Sequence, residues 1–200
     1  MPAVGGPKPC GLRERKKART RASLREHALR LFREQGYAET TVEQIAEAAE
    51  VSPSTFFRYF PTKEDVVLQD DFDPIAIAKF EAQPPGLSPV AALRAAMRET
   101  FADAPASQIA QWRELNKLTT AVPELRARAL EDWAHTVGML AGLMAKRLGR
   151  DPADLAVRTL AGAITGVGMS VMITTLEDPS ADIVELMDAG LALLEQGFRL

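Results

Sequence analysis

Thr40-Thr41-Val42-Glu43-Gln44-Ile45-Ala46-Glu47-Ala48-Ala49-Glu50-Val51-Ser52-Pro53-Ser54-Thr55-Phe56-Phe57-Arg58-Tyr59-Phe60-Pro61-Thr62-Lys63 reads as two short helices and the turn between them. Thr40 and Thr41 offer N-cap hydroxyls, and Glu43 and Gln44 three residues on complete a capping-box pattern. The helix they open, from Val42 to about Ala49, buries Ile45, Ala46 and Ala49. Ser52 can cap a second helix with Pro53 in its first position, where a missing N–H costs nothing. That helix runs through Phe60, and Pro61 stops it. Upstream, a helical pattern runs from Leu12 to about Gln35, with Leu24, Ala28, Leu31 and Phe32 on one face. Gly36 ends it as a C-cap does. Downstream, Thr62 caps a helix predicted from Lys63 to about Phe80.

Two short helices behind a longer bracing helix form the layout of a helix-turn-helix. Ala46, Ala48 and Ala49 allow close packing, and Ile45, Val51 and Phe56 fill the space between the helices. Thr41, Ser52, Ser54 and Thr55 stand at helix N-termini, where free N–H groups and the helix dipole favour phosphate.

The run Leu31-Phe32-Arg33-Glu34-Gln35-Gly36-Tyr37-Ala38-Glu39-Thr40-Thr41-Val42-Glu43-Gln44-Ile45-Ala46 resembles the DNA-binding domain of the TetR family of repressors. Val51 to Lys63, with its closing Phe60-Pro61-Thr62-Lys63, resembles the family's recognition helix. The resemblance covers residues 21–63. It implies phosphate contacts from Thr41, Ser52, Thr55, Tyr59 and Lys63, and a base-reading surface of Pro53, Ser54 and Arg58. Arg58 is the main candidate, because a guanidinium grips O6 and N7 of guanine bidentately. A salt bridge or a phosphate contact is the alternative. The basic run Arg13, Arg15, Lys16, Lys17, Arg19 and Arg21 either tracks the DNA backbone, reaches a minor groove, or is simply solvated.

Three positions depart from the family pattern. Phe57 stands where Tyr is usual, losing a phosphate-binding hydroxyl, and Tyr59 stands where His is usual. Glu50 occupies a turn position that usually holds Gly. If its backbone is left-handed, the strain is about 1 kcal/mol.

Charge is divided along the chain. Residues 1–63 carry 12 Lys/Arg and 7 Asp/Glu, a net of +5, while residues 64–200 carry 12 and 20, a net of −8. A basic head on an acidic body suits a head that meets a polyanion. The first eleven residues, rich in Pro and Gly, read as a disordered lead-in. No apolar run follows the N-terminal Lys and Arg as in a secretory signal, and Cys10 alone builds no disulfide framework. The cytoplasm is the expected location.

Enzymatic chemistry finds no support. His27 and His135 with one isolated Cys do not make a metal site. No glycine-rich phosphate loop, nucleophile elbow or H-E-x-x-H is present. Neither catalytic residues nor a cofactor are expected.

From residue 64 onward the pattern stays helical, so the whole chain reads as all-α. An N-terminal three-helix helix-turn-helix domain (12–63, with the connecting helix to about 80) precedes a C-terminal helical bundle (81–200). Helical blocks fall at about 88–103, 106–119, 123–148, 152–177 and 180–199, with Gln83-Pro84-Pro85-Gly86 as the boundary. The family resemblance implies that this body binds a ligand and dimerises through the last two blocks, 152–177 and 180–199. Thr159 to Leu176 is eighteen residues without a charge, and Gly162 and Gly166 make a small-xxx-small spacing. Five Ser/Thr, three glycines and no aromatic belt argue against a membrane span. A helix covered by core on one side and a partner subunit on the other explains the same composition.

Candidate ligand-lining residues within 88–177 are Phe101, Trp112, Leu115 and Asn116, together with Met139, Leu143, Ile164 and Met169. Ordinary core packing is the alternative for each. A mostly apolar lining suits a hydrophobic or amphipathic effector. Trp112 to Arg126 loosely resembles relatives associated with acyl-CoA-like ligands. The expected partners are therefore an operator duplex, a small-molecule effector and a second copy of the chain. A constitutive DNA-binding protein without a ligand is the competing reading, and the length of the body argues against it.

Overall fold

The computed structural model describes residues 12–69 and 72–197. The expected lead-in at 1–11 and the end of the last helical block, including Phe198, lie outside the described residues. Every regular element among those described is an α-helix. The chain divides into two compact units, one up to Val67 and one from Leu68.

In the first unit, α1 spans Leu12–Gln35, α2 Val42–Ala48 and α3 Pro53–Tyr59. Helix α1 stops at Gly36, whose φ of +89° is open to glycine at no steric cost. The Gly36 N–H returns to the Phe32 carbonyl at 3.0 Å. Leu24, Ala28 and Phe32 of α1 are buried as their spacing predicts. Leu29 is buried as well, whereas Leu31 is only half-buried. The buried stripe of α1 thus includes Leu29 in place of Leu31, and Phe56, Phe60 and Ile45 of the same unit are fully buried with it.

The helix predicted from Lys63 to Phe80 is not continuous. A single turn, α4 (Asp65–Leu68), is followed by a separate α5 (Asp73–Ala82). Pro74 sits in the first turn of α5, where its ring is tolerated but its missing N–H cannot bond back to an earlier turn.

In the second unit, α6 covers Pro89–Asp103, α7 Ala106–Ala121, α8 Pro123–Glu131, α9 Trp133–Leu148, α10 Leu155–Glu177 and α11 Ile183–Glu195. The block expected at 123–148 is two helices meeting at Asp132. Phe80, Ala96, Met144, Ala161, Ile164 and Leu191 belong to one buried cluster. Gly190 lets α11 approach α10, since an added Cβ would lie 2.5 Å from Cγ1 of Val167. Arg94 ties α6 to α11 by pairing with Asp188 at 3.1 Å and Glu195 at 2.6 Å, and Arg113 reaches Asp182 from α7 at 2.6 Å.

Helix α10 is long and apolar enough to cross a bilayer by length and composition alone. One side of it is buried in this unit. The other carries Leu155, Met169, Ile173 and Leu176 exposed, with Gly162 and Gly166 between them.

Candidate functional site

The first unit is a compact helical head with two capped short helices. The Thr41 hydroxyl accepts the Gln44 N–H at 3.2 Å, and the Gln44 side chain accepts the Thr41 N–H at 2.9 Å. This is the capping box expected from sequence, closed by Gln44. The Ser52 hydroxyl likewise accepts the Thr55 N–H at 3.2 Å, and lies 2.8 Å from Ser54 Oγ and 3.0 Å from Thr55 Oγ1. Three hydroxyls thus cluster at the start of α3. Between the helices Glu50 has φ of +54°, the left-handed conformation that a glycine would adopt without strain.

Arg25 braces the head, a role sequence reading missed. It is buried, donates from Nε to the Val66 carbonyl at 3.0 Å, and lies over the Phe60 ring with Arg21. An arginine buried with its guanidinium engaged inside the protein gives no signal in a hydrophobic pattern.

Helix α3 is amphipathic in the required sense. Phe56 is buried, while Pro53, Ser54, Phe57 and Arg58 are exposed. The Arg58 guanidinium lies 5.3 Å from the Tyr59 ring centroid, and no carboxylate pairs with it among the described residues. Lys63 is placed differently from a free phosphate ligand. Its ammonium donates to the carbonyls of Tyr37 and Thr40 at 2.9 and 3.1 Å and stands 4.2 Å from the Tyr37 ring.

The second unit contains a cavity of two adjoining lobes, about 280 and about 340 Å³. Phe101 and Trp112 line both lobes; Met139, Leu143 and Ile164 line the first and Asn116 the second. Leu115 is buried away from the cavity, and Met169 faces outward. Phe72 and Phe80 of the α5 segment, Trp133 of α9 and Met187 of α11 complete the wall. These lay outside the sequence prediction or carried no local signal in it. Phe72, Phe101 and Trp112 form an aromatic cluster with centroid separations of 4.9–6.1 Å.

Residues 24–69 match the profile described as bacterial regulatory proteins, tetR family, and residues 87–199 match the MftR C-terminal domain. The chain belongs to the TetR family. The transcriptional regulator TcmR of Streptomyces glaucescens is 40% identical over 151 residues, 72% of this chain and 67% of TcmR. The regulator MftR of Mycobacterium tuberculosis is 25% identical over 186 residues, covering 92% of this chain and 93% of MftR. Two solved structures share the fold. A TetR-family regulator from Syntrophomonas wolfei aligns with a TM-score of 0.60 at 18% identity, over 90% of this chain and 95% of its own. NalD, a repressor of a multidrug efflux pump in Pseudomonas aeruginosa, gives 0.56 at 20% identity, over 91% and 96%. TetR-family members are soluble, non-enzymatic, DNA-binding transcription regulators that act as dimers on operator DNA and bind small-molecule effectors.

Proposed function

We propose that this TetR-family chain is a cytoplasmic repressor, released from a palindromic operator by a small hydrophobic or amphipathic effector held in the second unit. The exposed face of α3 supports the reading most strongly. Pro53, Ser54, Phe57 and Arg58 project from a helix whose start is capped and whose rear is locked by Phe56 and Phe60, as a major-groove reader requires. Thr41, Ser52, Thr55 and Tyr59 take the phosphate-contact roles carried by the family resemblance. Lys63 acts there chiefly by holding the backbone beneath them.

Dimerisation through α10 and α11 places two such helices in successive major grooves, about 34–36 Å apart. The outward stripe Leu155, Thr159, Gly162, Gly166, Met169, Ile173 and Leu176 alternates steps of four and three residues. That is the period of a helix packed along a partner helix. Added Cβ atoms at Gly162 and Gly166 meet nothing within 4 Å in one protomer, which leaves room for close approach by a second copy.

Selection of bound duplexes from a random pool at near-physiological salt tests the function. An enriched palindrome with two half-sites supports a dimeric sequence reader. Salt-sensitive binding without enrichment would reduce the chain to a helical dimer that merely adheres to DNA.

A further inference from the structure

The walls of the two-lobed cavity have a one-sided polarity. Six threonines line it, and each donates its hydroxyl proton to a carbonyl of its own helix. In the first lobe Thr100 donates to Ala96 at 2.7 Å, Thr136 to Asp132 at 3.3 Å and Thr165 to Ala161 at 2.9 Å. In the second, Thr119 donates to Leu115 and Thr120 to Lys117, each at 3.0 Å, and Thr175 to Met172 at 2.9 Å. Asn116 also gives one amide proton to the Trp112 carbonyl at 2.9 Å. A hydroxyl so engaged has no proton left to give, so where its oxygen meets the cavity it can only accept. Few other donor groups stand on the described lining, the Trp133 indole N–H and the second amide proton of Asn116 among them.

Charge points the same way. No Lys, Arg or His is among the described lining residues, and the one ionisable side chain on both lobes is the carboxylate of Asp73. A carboxylate or phosphate moved into such walls loses its water without gaining a cation, and a buried unpaired charge is strongly disfavoured. A phenol or an amine meets the opposite situation, since its protons find the acceptors already in place. Phe72, Phe101, Trp112 and Trp133 offer ring faces and edges, and Met97 and Met187 offer adaptable sulfur contacts.

We propose that this cavity takes a non-anionic aromatic molecule bearing hydrogen-bond donors, a phenol or an aromatic amine, and excludes fatty-acid-like anions. The inference rests on the ligand-responsive reading above and narrows it. It also turns away from the acyl-CoA-like class suggested by residues 112–126, whose carboxyl-derived tail would have to leave its phosphates without a cation from this lining.

The test uses the full chain without DNA, so its result is independent of operator recognition. Both tryptophans of the chain line the cavity, and their emission overlaps pyrene absorption. Quenching is titrated with 1-hydroxypyrene, 1-pyrenemethylammonium and 1-pyrenecarboxylate, with a long-chain acyl-CoA as competitor. Gly168→Phe supplies the localisation control. Gly168 lines both lobes, and an added Cβ meets nothing within 4 Å, so the ring enters the void. The hydroxyl and ammonium probes are expected to bind at least about tenfold more tightly than the carboxylate, a factor set by the desolvated anion. Gly168→Phe is expected to abolish their binding while retaining helix content, and the acyl-CoA is expected not to displace them. Equal or tighter carboxylate binding, displacement by acyl-CoA, or unchanged binding in a folded Gly168→Phe variant would each overturn the proposal.

Discussion

The ammonium of Lys63 donates to the carbonyl oxygen of Tyr37 at 2.9 Å while lying 4.2 Å from the centre of the same residue's ring. One cation thereby closes the segment between α1 and α2 and fixes where Thr40 and Thr41 begin the next helix. Its second bond, to the Thr40 carbonyl at 3.1 Å, makes it the floor of the capping box.

Lys63→Met leaves those two carbonyls without their charged donor and is expected to destabilise the first unit by about 1–3 kcal/mol. The two units can be followed separately, because both tyrosines lie in the first and both tryptophans in the second. Unfolding followed by tyrosine emission should shift in the variant, and unfolding followed by tryptophan emission should not. Equal shifts in both signals would show that Lys63 is not a local brace.

Glu50 holds φ of +54° at the turn between α2 and α3. Glu50→Gly removes the side-chain penalty of the left-handed conformation, about 1 kcal/mol, less the entropy that glycine restores to the unfolded chain. A net gain of up to about 1 kcal/mol is expected in the tyrosine-reported transition. The same change deletes a negative charge near the DNA-facing side, so general duplex affinity at low salt should rise with it. A loss of stability would mean that Glu50 makes contacts worth more than its strain.

Much of the reading head was legible because its signals are local. Thr41, Ser52, Pro53 and Gly36 each act within four residues, and capping and backbone sterics put them where sequence expected. The break before α5 was legible in principle at Pro74, yet the apolar run through Val66, Val67 and Phe72 masked it. Arg25, Leu29 and the part of the cavity wall made by Phe72, Phe80, Trp133 and Met187 were not legible. Their burial depends on which distant helices meet them, and Trp133 or Met187 looks the same in a sequence whether it faces a core or a void. Gly162 and Gly166 stood out by spacing, whereas Gly190, which brings α11 against α10 in one protomer, has no partner in sequence to mark it.

Ile173 lies near the C-terminal end of the outward stripe of α10 and is 52% exposed in the single chain. Ile173→Glu places a charge where the proposed partner helix packs. Light scattering is expected to change from dimer to monomer, with helix content unchanged because the site is open in the protomer. A variant that stays dimeric would move the interface off this face of α10.

Asp188 sits between Arg94 and Arg98. The hydrogen bond from Arg94 holds its carboxyl below the usual carboxylate range, against the opposing effect of burial and with further help from Arg98. A carboxylate depressed in the folded state stabilises at neutral pH and loses that contribution as pH falls from its unfolded value, about 3.9, through its lower folded value. Asp188→Asn is therefore expected to cost about 1–2 kcal/mol near pH 7, and the gap from the parent should close on acidification in denaturant titrations followed by tryptophan emission. A gap that is constant with pH would assign the loss to packing.

The central claim, that the exposed face of α3 reads bases, is tested most directly by Arg58→Ala on the selected duplex and its single-base variants. The parent is expected to discriminate at each half-site position. In the variant, affinity should fall by about 1–3 kcal/mol and discrimination should vanish at one base pair per half-site. Uniform weakening on every duplex, with discrimination intact, would make Arg58 a phosphate contact and contradict the account.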